Sequence, residues 1–234
     1  MLLLAIDTSG TQGSIALARC GEGRSGRGRA VEGNDFEVIE TLLLVGGTFS
    51  AQLVLQISEL LSRHRLNKND IGAFAVVSGP GSFTGLRIGL AAVKALAEIL
   101  KKPIAAVSLL EVCAITSGLE GKIMAALDAG RSDVYVGQYE IPAKAGCIPR
   151  EQMLSRSEFF LQARGWQVVT PDPSLAEAAH AAGLSVATLS PISAAAVARF
   201  GWCKIRSNET VTPEQLEANY IRRSDAEMLE KIGS

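Results

Sequence analysis

The chain is poor in the residue types that most often carry catalysis. Its two histidines, His64 and His180, lie in separate segments, so a histidine catalytic pair or a His-rich metal centre has little material to be built from. Four cysteines, Cys20, Cys113, Cys147 and Cys203, are far apart with no C-x-x-C pair, which favours scattered buried thiols over disulfides or a zinc site. Charge of one sign is lacking too. Twenty-three basic against 24 acidic residues leave −1, which argues against a chain that coats nucleic acid by charge alone. No apolar run approaches membrane-spanning length, and residues 1–6 stop at Asp7 with no basic start. No membrane is therefore expected, and the cytoplasm is the expected location. Linker and low-complexity segments are missing as well. With 47% hydrophobic and 20% charged residues over 234 positions, one large domain or two small ones can bury a substantial core.

What is present is organised around residues 73–100. A short apolar strand, residues 74–77, breaks at Ser78-Gly-Pro-Gly81, and a long helical pattern begins at about Ser82. A glycine-rich turn between strand and helix lets backbone approach closely and points N–H groups outward, and Ser82 or Thr84 can cap the first turn. The loop looks like an anion cradle but is no Walker A loop, because no Lys-Ser/Thr pair follows its glycines. In the helix, Arg87, Lys94, Glu98 and Lys101 fall on one narrow stripe, while the other directions are apolar or small. Two readings stay open: a helix sandwiched inside its own domain, or one side on its own sheet and the other, lined by small residues, receiving a partner.

Ahead of this stretch, residues 2–6 and 14–19 read as strands joined by Asp7-Thr-Ser-Gly10. Such a turn offers hydroxyls and amides to a phosphate and a carboxylate to a hydrated metal ion, although these are also ordinary turn residues. Arg24, Arg27 and Arg29 mark a basic hairpin tip, read as a solvated loop before RNA contact. A third strand over 36–45 ends at Gly46-Gly47, and a helix over 50–64 buries Leu53, Ile57, Leu60 and Leu61. Three antiparallel strands, a helix, a strand and a helix form a ribonuclease H-like arrangement, as in the actin, sugar-kinase and Hsp70 superfamily. The expected fold is α/β, an actin-like pair of such domains with the second reduced. Residues 1–103 form the first domain and 104–234 the second, the C-terminal segment being free to return to the first. Within the second, residues 104–107 and 122–127 read as strands around a helix over 108–117. Asp128 stands in the place of Asp7, ahead of a hairpin strand over 134–141. Beyond Pro149, short helices and a strand over 167–170 are expected.

Four stretches resemble the TsaB (YeaZ-like) family of tRNA threonylcarbamoyladenosine synthesis. They are Leu4-Ala-Ile-Asp-Thr-Ser9, Ser78-Gly-Pro-Gly-Ser-Phe-Thr-Gly-Leu-Arg-Ile-Gly89, Ala126-Leu-Asp-Ala-Gly-Arg131 with Asp133-Val-Tyr135, and Asn219-Tyr-Ile-Arg222. One departure is Phe49, where many relatives carry histidine. The resemblance implies a non-catalytic subunit that dimerises with the paralogue TsaD, which transfers a threonylcarbamoyl group to the adenosine beside the tRNA anticodon. TsaD holds a metal partly through a His-x-x-x-His pair, and Leu109 and Cys113 occupy those places here. Neither side chain replaces an imidazole pair. The implied interface lies on the first two helices, at Gln52, Gln56, Arg87, Ile88, Gly89, Ala91, Ala92, Val93, Ala95 and Leu96. ATP or ADP and a metal ion are expected in the partner or at the shared interface, a TsaE-type ATPase on the assembled complex, and tRNA only through it. A homodimer of the isolated chain is left open. The alternative is an actin-like small-molecule kinase holding Mg-ATP, with Asp7, Thr8, Ser82, Thr84 and Asp128 as its weak binding candidates.

Overall fold

The computed structural model describes residues 1–21, 36–44, 49–142 and 149–221. Arg24, Arg27, Arg29, Gly46, Gly47, Cys147 and Arg222 lie outside the described residues. In chain order the first elements are β1 (Leu2–Asp7), β2 (Gly13–Cys20), β3 (Phe36–Leu44), α1 (Phe49–Arg63), β4 (Ile71–Gly79), α2 (Phe83–Leu100) and β5 (Ile104–Ser108). There follow α3 (Leu109–Thr116), β6 (Gly121–Gly130), β7 (Asp133–Ile141), β8 (Arg150–Ser155) and α4 (Arg156–Gln162). The last are β9 (Gln167–Thr170), α5 (Pro173–Ala181), β10 (Ser185–Thr188) and α6 (Ala194–Arg206). The described residues form two compact units, Met1–Val107 with Ser193–Ala218, and Ser108–Ile192 with residues 219–221. The division differs from the expected one at residue 103. Strand β5 joins the first sheet instead of opening the second, where Phe74 N donates to Pro103 O and Val211 N to Ile104 O.

The first unit is a five-stranded sheet in the order β3-β2-β1-β4-β5, with β2 antiparallel to both β1 and β3 and β4 parallel to β1. Its two faces differ in bulk. Leu4, Leu17 and Phe74 stand side by side, as do Ile6, Ile15 and Val76, while the alternate positions hold Ala5, Ala16 and Ala75. All are buried, so both faces are covered by helices. Helix α6 lies on the alanine face so closely that a Cβ at Gly201 would sit 2.4 Å from Ala75 Cβ. Ser14 Oγ of β2 accepts from Ala194 N at 2.8 Å, capping α6 where its own Ser193 makes no side-chain bond. On the bulky face α1 packs beside α2, burying Leu53, Ile57, Leu60 and Leu61 as the pattern predicts, together with Phe49. Glu40 of β3 holds the end of α1, through Arg63 Nη1 at 2.6 Å and His64 Nε2 at 2.7 Å.

The second unit repeats the topology. Its sheet runs β10-β9-β6-β7-β8, with an antiparallel β6-β7-β8 meander and parallel β9 and β10. Numbered from its own first strand, this is the order of the first sheet read from the opposite edge. The reduction lies in its helices: α3, α4 and α5 have 8, 7 and 9 residues, against 15 and 18 for α1 and α2. One core gathers Met124, Val136, Phe159 and Leu175, the other Leu110, Ile123, Tyr139 and Val169. Two strands, β8 and β10, are not expected from the sequence. The first is polar and marginal, and the second has only four residues.

Candidate functional site

The glycine motif and the Asp7 turn are one construction. Gly85 and Gly89 sit four residues apart on α2, so both face the same way, and both face the end of β1. A Cβ at Gly85 would lie 2.0 Å from Thr8 O, one at Gly89 2.4 Å from Thr8 Oγ1, and one at Gly81 2.6 Å from Ser9 O. Gly81 and Gly85 therefore let backbone rest on backbone, and Gly89 makes room for the Thr8 hydroxyl. Thr8 Oγ1 donates to Gly85 O at 2.8 Å and Ser82 N to Ser9 O at 2.7 Å. Ser82 Oγ caps α2 by accepting from Gly85 N, as its position predicts.

This closure also engages the turn read from sequence as an anion site. Asp7 Oδ1 accepts from Ser9 N at 2.9 Å and from Ser9 Oγ at 2.6 Å, and Asp7, Thr8 and Ser9 are all buried. Burial pushes the Asp7 carboxyl above its ordinary range, against the opposing pull of the two Ser9 hydrogen bonds. The Thr8 and Ser9 hydroxyls, the Ser9 amide and one Asp7 oxygen, foreseen for a phosphate, are thus engaged within the chain. Thr84 remains exposed at the start of α2. Asp128 is also exposed: its Oδ1 accepts from Gly130 N, and its own N–H donates to Asp172 Oδ2 at 2.8 Å.

Helix α2 divides into an inner side and an outer side. Leu86, Leu90, Val93 and Ala97 are buried with Gly85 and Gly89. Two expected interface positions, Gly89 and Val93, are therefore corrected. Both belong to the chain's own interior, Gly89 because Thr8 occupies the space beside it. Arg87, Ala91 and Ala95 face outward, and Ile88, Ala92 and Leu96 are half-buried, as are Gln52 and Gln56 of α1. Phe83 is 50% and Ile99 68% exposed, and the Arg87 guanidinium stacks 3.7 Å above the Phe83 ring centroid. Leu109 is half-buried, and Cys113 is packed in the core of the second unit. Among the described residues no group of three or more His, Cys, Asp or Glu side chains is arranged for a metal ion, and no helix is long and apolar enough to cross a membrane.

Sequence reasoning missed one polar cluster. Glu151 of β8 receives Ser108, Tyr139 and Asn219. Asn219 had a signal, lying in the family-like Asn-Tyr-Ile-Arg stretch, but Glu151 sits in a polar segment with no pattern to single it out.

Two sheets of one repeated topology, each flanked by helices, define an actin-like α/β protein of two ribonuclease H-like units. The family model described as "TsaD: tRNA N6-adenosine threonylcarbamoyltransferase" matches residues 45–200. The chain belongs to this family, in its TsaB (YeaZ-like) branch. It is 34% identical over 141 residues to the Bacillus subtilis tRNA threonylcarbamoyladenosine biosynthesis protein TsaB, the match covering 60% of this chain and 56% of that one. To the Haemophilus influenzae protein of the same name it is 28% identical over 181 residues, covering 75% and 66%. The chain thus spans between half and two thirds of these curated relatives. A solved structure of YeaZ from Pseudomonas aeruginosa superimposes with a TM-score of 0.70 at 24% identity, covering 94% of this chain and 99% of that one.

Proposed function

We propose that the chain is a non-catalytic subunit of tRNA threonylcarbamoyladenosine biosynthesis, which docks a TsaD-type paralogue through the outer sides of α1 and α2. One observation carries this reading. The glycine motif brings α2 directly against Thr8 and Ser9, which favours a role in setting the position of α2 over one in gripping phosphate. Its outward Phe83, Arg87, Ala91, Ala95 and Ile99, beside Val54 and Leu55 of α1, offer an apolar and small-residue surface of the kind that partner helices bury. ATP or ADP and a metal ion belong, on this reading, to the partner or to the shared boundary. A TsaE-type ATPase acts on the assembled complex, and tRNA meets the chain only there.

The test is co-purification with the TsaD-type partner from the same organism, followed by tRNA modification with and without this chain. Modification that needs both proteins, with no ATP turnover by this chain alone, supports the reading. Turnover by the repurified chain that is lost in Asp7→Ala replaces it with a small-molecule kinase.

A further inference from the structure

Glu151 stands in edge strand β8 directly across from Gly137 of β7. Tyr139, two residues along β7, shares that face and lies back over the glycine, so that a Cβ at Gly137 would be 2.6 Å from Tyr139 Oη. The missing side chain gives the phenol its path to the carboxylate, and Tyr139 Oη donates to Glu151 Oε1 at 2.7 Å. Burial, with the negative charge of Glu151 beside it, holds that hydroxyl protonated far above the usual tyrosine range. Ser108 Oγ donates to the same oxygen, and Asn219 Nδ2 donates to Oε2 at 2.7 Å. The origin of these donors matters. Ser108 is the residue at which the chain first crosses into the second unit, and Asn219 the residue at which it returns there. Just past Asn219, Ile221 packs on the core that holds Leu110, Tyr139 and Val169.

We propose that Glu151 is a clasp on the two points where the chain crosses into the second unit, and that it makes residues 219–221 a releasable strap over the Leu110–Tyr139 side of the core. Hydrogen bonds to a carboxylate are the strong ones among side-chain bonds, and the strap is held on this unit at Asn219 and Ile221. Loss of the clasp therefore opens the strap locally while the sheet stays intact.

The test is chymotrypsin digestion of the full folded chain, read by mass spectrometry for cleavage after Tyr220, in Asn219→Ala, Tyr139→Phe and Glu151→Ala. Asn219→Ala is expected to speed that cleavage by about tenfold, with no cleavage appearing in β6, β7 or β9. Glu151→Ala is expected to speed it at least as much, and adding Asn219→Ala to it should bring no further increase. Tyr139→Phe should speed it less than either. Unchanged cleavage after Tyr220 in Asn219→Ala overturns the clasp, as does equal acceleration at every site of the unit. If Glu151→Ala does not fold, Asn219→Ala alone decides between these outcomes.

Discussion

Asp7 and Asp128 hold matching places near the ends of the first strands of two sheets that share one order. In each unit the helix between the fourth and fifth strands starts beside that turn, and the two helices meet it differently. Helix α2 brings Gly85 down onto the Thr8 carbonyl and Gly89 onto the Thr8 hydroxyl, and the Asp7 turn is buried. Helix α5 begins Pro-Ser-Leu-Ala, with no glycine, and reaches its turn through the Asp172 carboxylate, which accepts from Asp128 N. That turn stays exposed. The first turn is thus covered by a helix whose glycines carry no Cβ, and the second is met by a side chain and stays open.

The largest effect should come from breaking the closed turn. Gly85→Ala places a methyl on Thr8 O; the gain in helix propensity of about 1 kcal/mol is outweighed by overpacking of about 3 kcal/mol or more. The net loss of about 2 kcal/mol or more should show in thermal melting as a fall of at least roughly 4–8 °C for a chain of this size. At the open turn, Asp172→Ala removes an acceptor that water can replace, so a loss of about 1 kcal/mol in denaturant unfolding is expected. A smaller change of opposite sign is expected at Asp7. Because burial raises its folded-state pKa, the fold binds this proton more tightly than the unfolded chain does. The stability so gained is complete below the ordinary carboxylate range and is lost as pH rises through the raised value. Asp7→Asn keeps an acceptor for Ser9 and removes that dependence. Its melting temperature should equal or exceed the parent's at neutral pH, the gap closing on acidification. Smallest of all, Ala95→Glu on the outer side of α2 should move stability by no more than about 0.5 kcal/mol.

The first unit is legible because its elements carry strong periodic signals: apolar β1 and β4, the Leu53-Ile57-Leu60-Leu61 face of α1, and the charged stripe of α2. What α2 faces is less legible. A glycine that admits a partner helix and one that admits Thr8 look the same in sequence, since only the contact distinguishes them. Strand β5 falls in the other unit from the expected one because its neighbours, β4 and Val211, are remote in sequence. Edge strand β8 is hidden by its own polarity, for Arg150, Glu151 and Gln152 read as loop until Glu151 is seen gathering three donors.

Whether the closed turn serves to present the outer face of α2 to a TsaD-type partner is decided by Ala95→Glu in a paired assay. Melting is followed on the chain alone, and association and tRNA modification on the mixture with the partner. Unchanged melting is expected, with association weakened at least tenfold, because a charge would be desolvated without a counter-ion, and with modification lost in step. Unchanged association and modification would instead refute presentation and leave that face of α2 as ordinary surface.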